Sequence, residues 1–162
     1  MEKQNYFMEQ ALEQARLAYK ANEVPVGAVV VYDNKIVARG FNSVITLSDP
    51  TAHAEIVALR AAGKTLGNYR ITDTDLYVTL EPCVMCYAAL VHARIKNLYY
   101  GAPDLKGGIF STGKFFLIKN IFNHTITTKS GIMGDKSKNL LQGFFRERRG
   151  AGAVERDGLE SR

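Results

Sequence analysis

The sequence predicts an α/β fold, a mixed sheet with helices on both faces. Three observations carry it. Helix-like and strand-like stretches alternate along most of the chain, and the series opens on a hairpin, so the sheet is not purely parallel. With 162 residues, 46% of them hydrophobic and 23% charged, the chain suits one domain around one core.

Residues 4–21 form an amphipathic helix in this reading, because Met8, Ala11, Leu12, Ala15 and Tyr19 recur at three- and four-residue spacing between polar positions. Pro25 interrupts. The apolar run 26–32 is a buried strand, Asp33-Asn34 a tight turn, and 35–41 the returning strand. A polar loop covers 42–50, a helix runs from about Ala52 to Lys64, and Gly67 to Arg70 is a second loop. A third strand spans 75–80. Pro82 then opens a helix to about Arg94, since proline lacks only an N–H that has no partner there anyway. Residues 96–100 are a fourth strand and 101–113 a Gly-rich loop. A short helix or strand follows near 115–121, then strand character at 125–129. Asp135 caps a last helix with Leu140, Leu141, Phe144 and Phe145 on one side. The domain therefore covers 1–149, and 150–162, Gly-rich and charged without apolar period, is expected to be a disordered tail.

No apolar run approaches bilayer length and the first residues lack the pattern of a secretory signal, which makes a cytoplasmic protein without a membrane partner the expectation. The net charge of +5 and pI near 9.2 favour polyanionic partners, a weak signal alone. Two cysteines are too few for a disulfide-stapled secreted scaffold. Cys83 and Cys86 thus leave three readings: a redox dithiol, half of a metal site, or coincidence.

A Cys-x-x-Cys at a helix start places both sulfurs one turn apart, where the positive end of the helix favours thiolates. A structural zinc site takes four protein ligands and a catalytic one takes three, leaving a position for water. With three histidines and no further cysteine, one histidine plus two thiolates is the set the chain supplies most naturally. His53 is preferred because Glu55 follows two residues later and can reach a metal-bound water. Zinc brings that water's pKa near neutral, and Glu55 can take its proton and deliver it to a leaving amine. Such a set suits hydrolytic deamination. His92 and His124 read as structural.

His53-Ala54-Glu55 with Pro82-Cys83-Val84-Met85-Cys86 resembles the signature of the cytidine and nucleobase deaminase superfamily. Longer stretches resemble the bacterial tRNA adenosine deaminases over roughly 5–149. They are Glu23 to Ala28, Asp49 to Ile56, Asn68-Tyr69-Arg70, Leu76 to Cys83, and Phe144 to Arg149. The resemblance implies a three-layer α/β/α fold around a central mixed sheet of about five strands, a homodimer, one Zn2+ per subunit, and adenosine-to-inosine conversion at the wobble position of a tRNA anticodon stem-loop. Carried over, it makes His53, Cys83 and Cys86 metal ligands and Glu55 the catalytic proton shuttle. It makes Asn42 a base-reading contact and Arg70, Phe145, Arg148 and Arg149 substrate contacts. The match is looser across 101–121, where Lys106 lies.

Plainer readings stand beside these. The cysteines fit a redox pair, Asn42 fits a turn residue, and Phe144-Phe145 fit a helix's core face, with one ring forced outward. Leu98-Tyr99-Tyr100 could line a dimer interface. At the level of function, a free-base, nucleoside or nucleotide deaminase of guanine or cytidine type shares the zinc motif, and a non-enzymatic zinc RNA-binding module is a third class. The basic, aromatic C-terminal helix favours a large polyanionic substrate.

Overall fold

Valine-rich β1 (Gly27–Tyr32) and β2 (Lys35–Phe41) pair antiparallel through Asp33 and Asn34, both in the left-handed region that a two-residue hairpin turn requires. The computed structural model describes residues 2–150; Gly150, expected to open the tail, is instead the last residue of the final helix, and the rest of the expected tail, 151–162, lies outside the described residues. Along the chain follow α1 (Glu2–Lys20) before the hairpin, then α2 (Ala54–Leu66), β3 (Thr74–Leu80), α3 (Val84–His92), β4 (Asn97–Ala102), α4 (Lys114–Ile118), β5 (Thr127–Lys129) and α5 (Gly134–Gly150). The five strands lie in the order β2-β1-β3-β4-β5. The pairs β2/β1 and β1/β3 are antiparallel, β3/β4 and β4/β5 parallel. The mixed sheet expected from the hairpin and the βα alternation is therefore present.

Strand alternation divides the core in two. Ala28, Val30, Leu76, Val78, Leu98 and Tyr100 point to one face, where Ala58 and Ala62 of α2 and Tyr87 and Leu90 of α3 cover them. Val29, Val31 and Tyr77 point to the other, against Phe7, Met8 and Ala11 of α1 and Ile132 before α5. Truncating one of the larger fully buried members, such as Leu76, typically costs about 2–5 kcal/mol. The three-layer arrangement follows from these two faces. Leu98 and Tyr100 are consumed by the first, so the 98–100 segment offers a dimer interface little beyond half-buried Tyr99.

Helix starts depart from the expectation by one or two residues. Ala52 is not helical because its carbonyl accepts the Ser43 amide, and α2 begins after His53, its N-cap. Pro82 likewise precedes α3 rather than opening it. Its carbonyl accepts the Ile109 amide, and Cys83 is the N-cap. Asp135 sits inside the first turn of α5 instead of capping it, still at the end where a carboxylate is favoured. The first turn of α2 presses on β2 at Gly40, where a Cβ would stand 2.8 Å from the Ala54 carbonyl oxygen and 2.6 Å from the Ala58 nitrogen. A residue without a side chain is what lets α2 approach that closely.

Candidate active site and metal centre

Two helix N-termini meet over one edge of the molecule's interior. Each brings its cap and first turn: His53 and Glu55 from α2, Cys83 and Cys86 from α3. Both caps have extended backbone, with φ/ψ of −66/157° at His53 and −78/175° at Cys83, and neither uses its side chain as a cap. The His53 and Cys83 side chains are thereby left to approach each other. The turn ahead of His53 is fixed by Asp49, which accepts the Thr51 hydroxyl at 2.7 Å and the Thr51 amide at 2.9 Å. The hydrogen bond from Thr51, with Arg60 behind it, holds the Asp49 carboxyl below the usual carboxylate range.

The donor atoms fit a single ion. His53 Nδ1 lies 3.7 Å from Cys83 Sγ and 3.4 Å from Cys86 Sγ, and all three ligand atoms fall within 4.8 Å of one another. A tetrahedral zinc with ordinary Zn–N and Zn–S bonds separates nitrogen from sulfur by about 3.6 Å, which both nitrogen–sulfur distances match. His53 and Cys86 are buried and Cys83 is half-buried, the one side open to solvent. Neither cysteine is in a disulfide, and a position at a helix N-terminus favours the thiolate form. Glu55 is fully buried in the adjoining first turn yet falls outside the ligand set.

The other expected residues are distributed unevenly. Asn42, directly after β2, is fully buried. Its Nδ2 donates to the Val24 carbonyl at 3.3 Å, and among the described residues its Oδ1 accepts no hydrogen bond. Arg70 is exposed in the loop beyond the far end of α2, its guanidinium 5.6 Å from the Tyr69 ring; α2, thirteen residues and about 20 Å long, lies between it and His53 in the chain. On α5, Phe144 is in the core and Phe145 half exposed. Arg149 is exposed. Arg148 donates to the Asn22 carbonyl and stands 4.9 Å from the Phe144 ring. That contact connects α5 to the site's margin, because the next residues, Glu23 and Val24, hold the loop that starts at Asn42.

Sequence reasoning assigned no role to Glu23 or Glu81, both fully buried. Glu23 accepts the amides of Ile45 at 3.1 Å and Thr46 at 2.7 Å, and Glu81 accepts three loop amides and one hydroxyl. The available signal was a glutamate one or two residues before a proline next to an apolar stretch, in Glu23-Val24-Pro25 and Glu81-Pro82. His124 is structural, its Nε2 2.7 Å from the Ile95 carbonyl oxygen, and His92 is exposed. His92 helps line an open groove of about 710 Å3 between the far ends of α2 and α3, flanked by Leu59 and Ala89. That groove holds neither cysteine, and the chemistry lies with the ligand set.

Comparison with known proteins agrees with this geometry. The family described as the cytidine and deoxycytidylate deaminase zinc-binding region matches residues 1–102. A tRNA-specific adenosine deaminase of Agrobacterium fabrum is 47% identical over 149 residues, covering 92% of this chain and 98% of its own length. A solved structure from studies of A-to-I editing by tRNA:A34 deaminases at the wobble position superposes with a TM-score of 0.81 at 47% identity. It covers 84% of this chain and 99% of that one. A guanine deaminase from Nitrosomonas europaea superposes with a TM-score of 0.73 at 24% identity, covering 86% and 83%, a likeness of fold alone.

Proposed function

We infer the reaction from membership: the chain belongs to the cytidine and deoxycytidylate deaminase family and to its tRNA-specific adenosine deaminases, and it converts adenosine to inosine at the wobble position of a transfer RNA anticodon. The single observation that carries the reading is the clustering of one imidazole nitrogen and two thiol sulfurs within 4.8 Å, with a buried carboxylate beside but outside the set. The guanine deaminase likeness is of fold alone, whereas the tRNA-specific relative matches along nearly the whole chain.

The overall reaction exchanges the 6-amino group of adenine for a carbonyl oxygen, consuming one water and releasing ammonia. His53, Cys83 and Cys86 would hold the zinc, which would supply Lewis-acid activation of a water near neutral pH. Glu55 takes the proton that water gives up and returns it to the departing amine, and its burial keeps that proton from bulk solvent. Asn42 meets the base: its Oδ1 is a buried acceptor with no partner among the described residues, an arrangement that costs free energy until a ligand N–H or O–H fills it. Incubating the protein with an anticodon stem-loop and scoring inosine at each position tests the reading. Conversion of a free nucleoside or nucleobase with the stem-loop untouched would replace it by the small-substrate alternative.

Phe145 and the arginines beside it meet the RNA. A half-exposed ring among cations is a stacking platform, and exposed Arg149 is placed to meet phosphate. Replacing Arg148 and Arg149 together with Ala weakens stem-loop binding and flattens its dependence on salt. The two residues separate in thermal unfolding. Arg148→Ala lowers the Tm because it frees the Asn22 carbonyl and uncovers Phe144, while Arg149→Ala leaves the Tm unchanged. Unaltered affinity and salt slope in the double variant would make this helix end structural only.

The protein acts as a homodimer. Phe116 and Leu117 of α4 and nearby Ile121 are 70%, 82% and 75% exposed, an apolar patch of the kind that a partner covers. Light scattering at micromolar concentration is expected to give twice the 18.0 kDa chain mass, and Leu117→Asp is expected to shift it toward the monomer. Among the described residues no helix is long and apolar enough to cross a membrane, and a cytoplasmic location suits a tRNA substrate.

A further inference from the structure

A buried carboxylate with no cation near it is expensive unless its oxygens are fully hydrogen-bonded. Glu81 is fully buried, and among the described residues it makes no ion pair; instead it is ringed by donors from a single loop. The Asp104 amide donates to Oε1 at 3.1 Å, and the Phe110 and Ser111 amides donate to Oε2 at 2.8 and 2.9 Å. The Ser111 hydroxyl closes on Oε1. These donors come from both shoulders of the segment 103–113. The Ile109 amide adds a bond of 2.9 Å to the Pro82 carbonyl, and Phe110 packs edge-on against Tyr87 at 5.7 Å. Both ends of the loop are therefore tied to residues 81 and 82, immediately before Cys83, and its aromatic root rests on the residue after Cys86. Gly108 lets the chain pass over the carboxylate, because a Cβ there would stand 2.1 Å from Oε2.

We propose that Glu81 is a positioning residue for substrate RNA: its carboxylate clamps the loop 103–113 to the base of the metal centre, so that the loop's exposed tip, Leu105 and Lys106, stands in a fixed place beside the reacting base. The tip is outside the clamp. Leu105 is 78% exposed, and the Asp104 carboxylate shapes the turn by accepting the amides of Lys106 and Gly107. Fixing both shoulders of a loop before binding removes ordering cost from association, which is where the clamp acts. The same device recurs across the site, where Glu23 holds Ile45 and Thr46 of the loop leading to His53.

The proposal rests on the RNA-deaminase reading, and the test separates the two. Stem-loop Kd, kcat for inosine formation, zinc content and amide hydrogen exchange are measured on wild type, Glu81→Gln and Ser111→Ala. Glutamine keeps the shape but turns one acceptor oxygen into a donor facing donors. Glu81→Gln is expected to raise Kd about ten-fold, as losing one or two hydrogen bonds to a charged group does. Its kcat should stay within about two-fold, zinc should remain at the wild-type level, and exchange should quicken at Asp104, Phe110 and Ser111 but not at Ile45 or Thr46. Ser111→Ala keeps the carboxylate and loses one donor, so it shows a smaller change in the same direction, and it decides the question if Glu81→Gln does not fold. Loosened amides with unchanged Kd overturn the proposal, as does loss of zinc, which would make Glu81 a support for Cys83 instead. A wild type that binds the stem-loop without making inosine overturns the functional reading while the clamp is still judged by Kd.

Discussion

Glu55→Ala should keep its zinc and its fold while deamination falls by about a hundred- to ten-thousand-fold, the usual contribution of a positioned general acid–base. The expectation follows from where the carboxylate sits. Glu55 is in the first turn of α2, two residues from His53, fully buried, and outside the set of atoms close enough to share an ion. Its removal leaves one nitrogen and two sulfurs in place, so metal retention is unaffected. Proton transfer is not, because both the attack of water and the departure of ammonia need a group that accepts and then donates. Glu55→Gln is the companion variant. It preserves volume and the interior packing but cannot take the proton, so it should match Glu55→Ala in rate and exceed it in Tm. Zinc content against inosine yield is the measurement. If Glu55→Ala loses zinc along with activity, the residue is a ligand and the mechanism fails. If both variants stay active, the carboxylate is structural and another group moves the proton, so the role given to Glu55 fails.

How much of this was legible in the sequence depends on whether the responsible contacts are local. The alternation of Val29 and Val31 with Ala28 and Val30 was readable, because a two-residue period assigns faces without knowledge of the partner. The ligand set was readable as well. Three metal-binding side chains at two loop–helix junctions leave few ways to assemble one site, and the structure brings all three together. Phe144 and Phe145 were legible as a pair that must split, and burial decided which ring goes inward.

What the sequence hid is held by long-range hydrogen bonds. The roles of Glu23 and Glu81 depend on amides 22 to 30 residues away, which no periodicity encodes. The helix starts moved for the same reason: the Ala52 and Pro82 carbonyls are claimed by Ser43 and Ile109, and a residue whose carbonyl is taken elsewhere does not begin a helix. Arg148 looked like its neighbour Arg149, and only the Asn22 carbonyl across the fold distinguishes them. The three-residue β5 was visible only as strand character, since its pairing to β4 comes from the sheet it joins.

The second large effect is expected at His53. His53→Ala removes the only nitrogen among the three ligand atoms, leaving two thiolates that on their own hold zinc poorly. Metal content should fall from about one per chain to well below half, and inosine formation should fall with it, beyond detection in an assay that still resolves Glu55→Ala. The loss should also appear in stability. An ion that binds the folded chain and not the unfolded one stabilises by mass action, so its departure lowers Tm, and a chelator should lower the wild-type Tm in the same way. A further consequence separates this variant from Glu55→Ala. Without an ion between them, Cys83 and Cys86 lie one turn apart at a helix N-terminus, where thiolate character is favoured, and Cys83 is partly open to solvent. Thiol titration in air should therefore show His53→Ala losing both thiols to a Cys83–Cys86 disulfide, while Glu55→Ala, with its metal, keeps them. Should His53→Ala retain one zinc per chain and two unreacted thiols, the metal is held by a different set of atoms, and the site built here from α2 and α3 would be wrong at its centre.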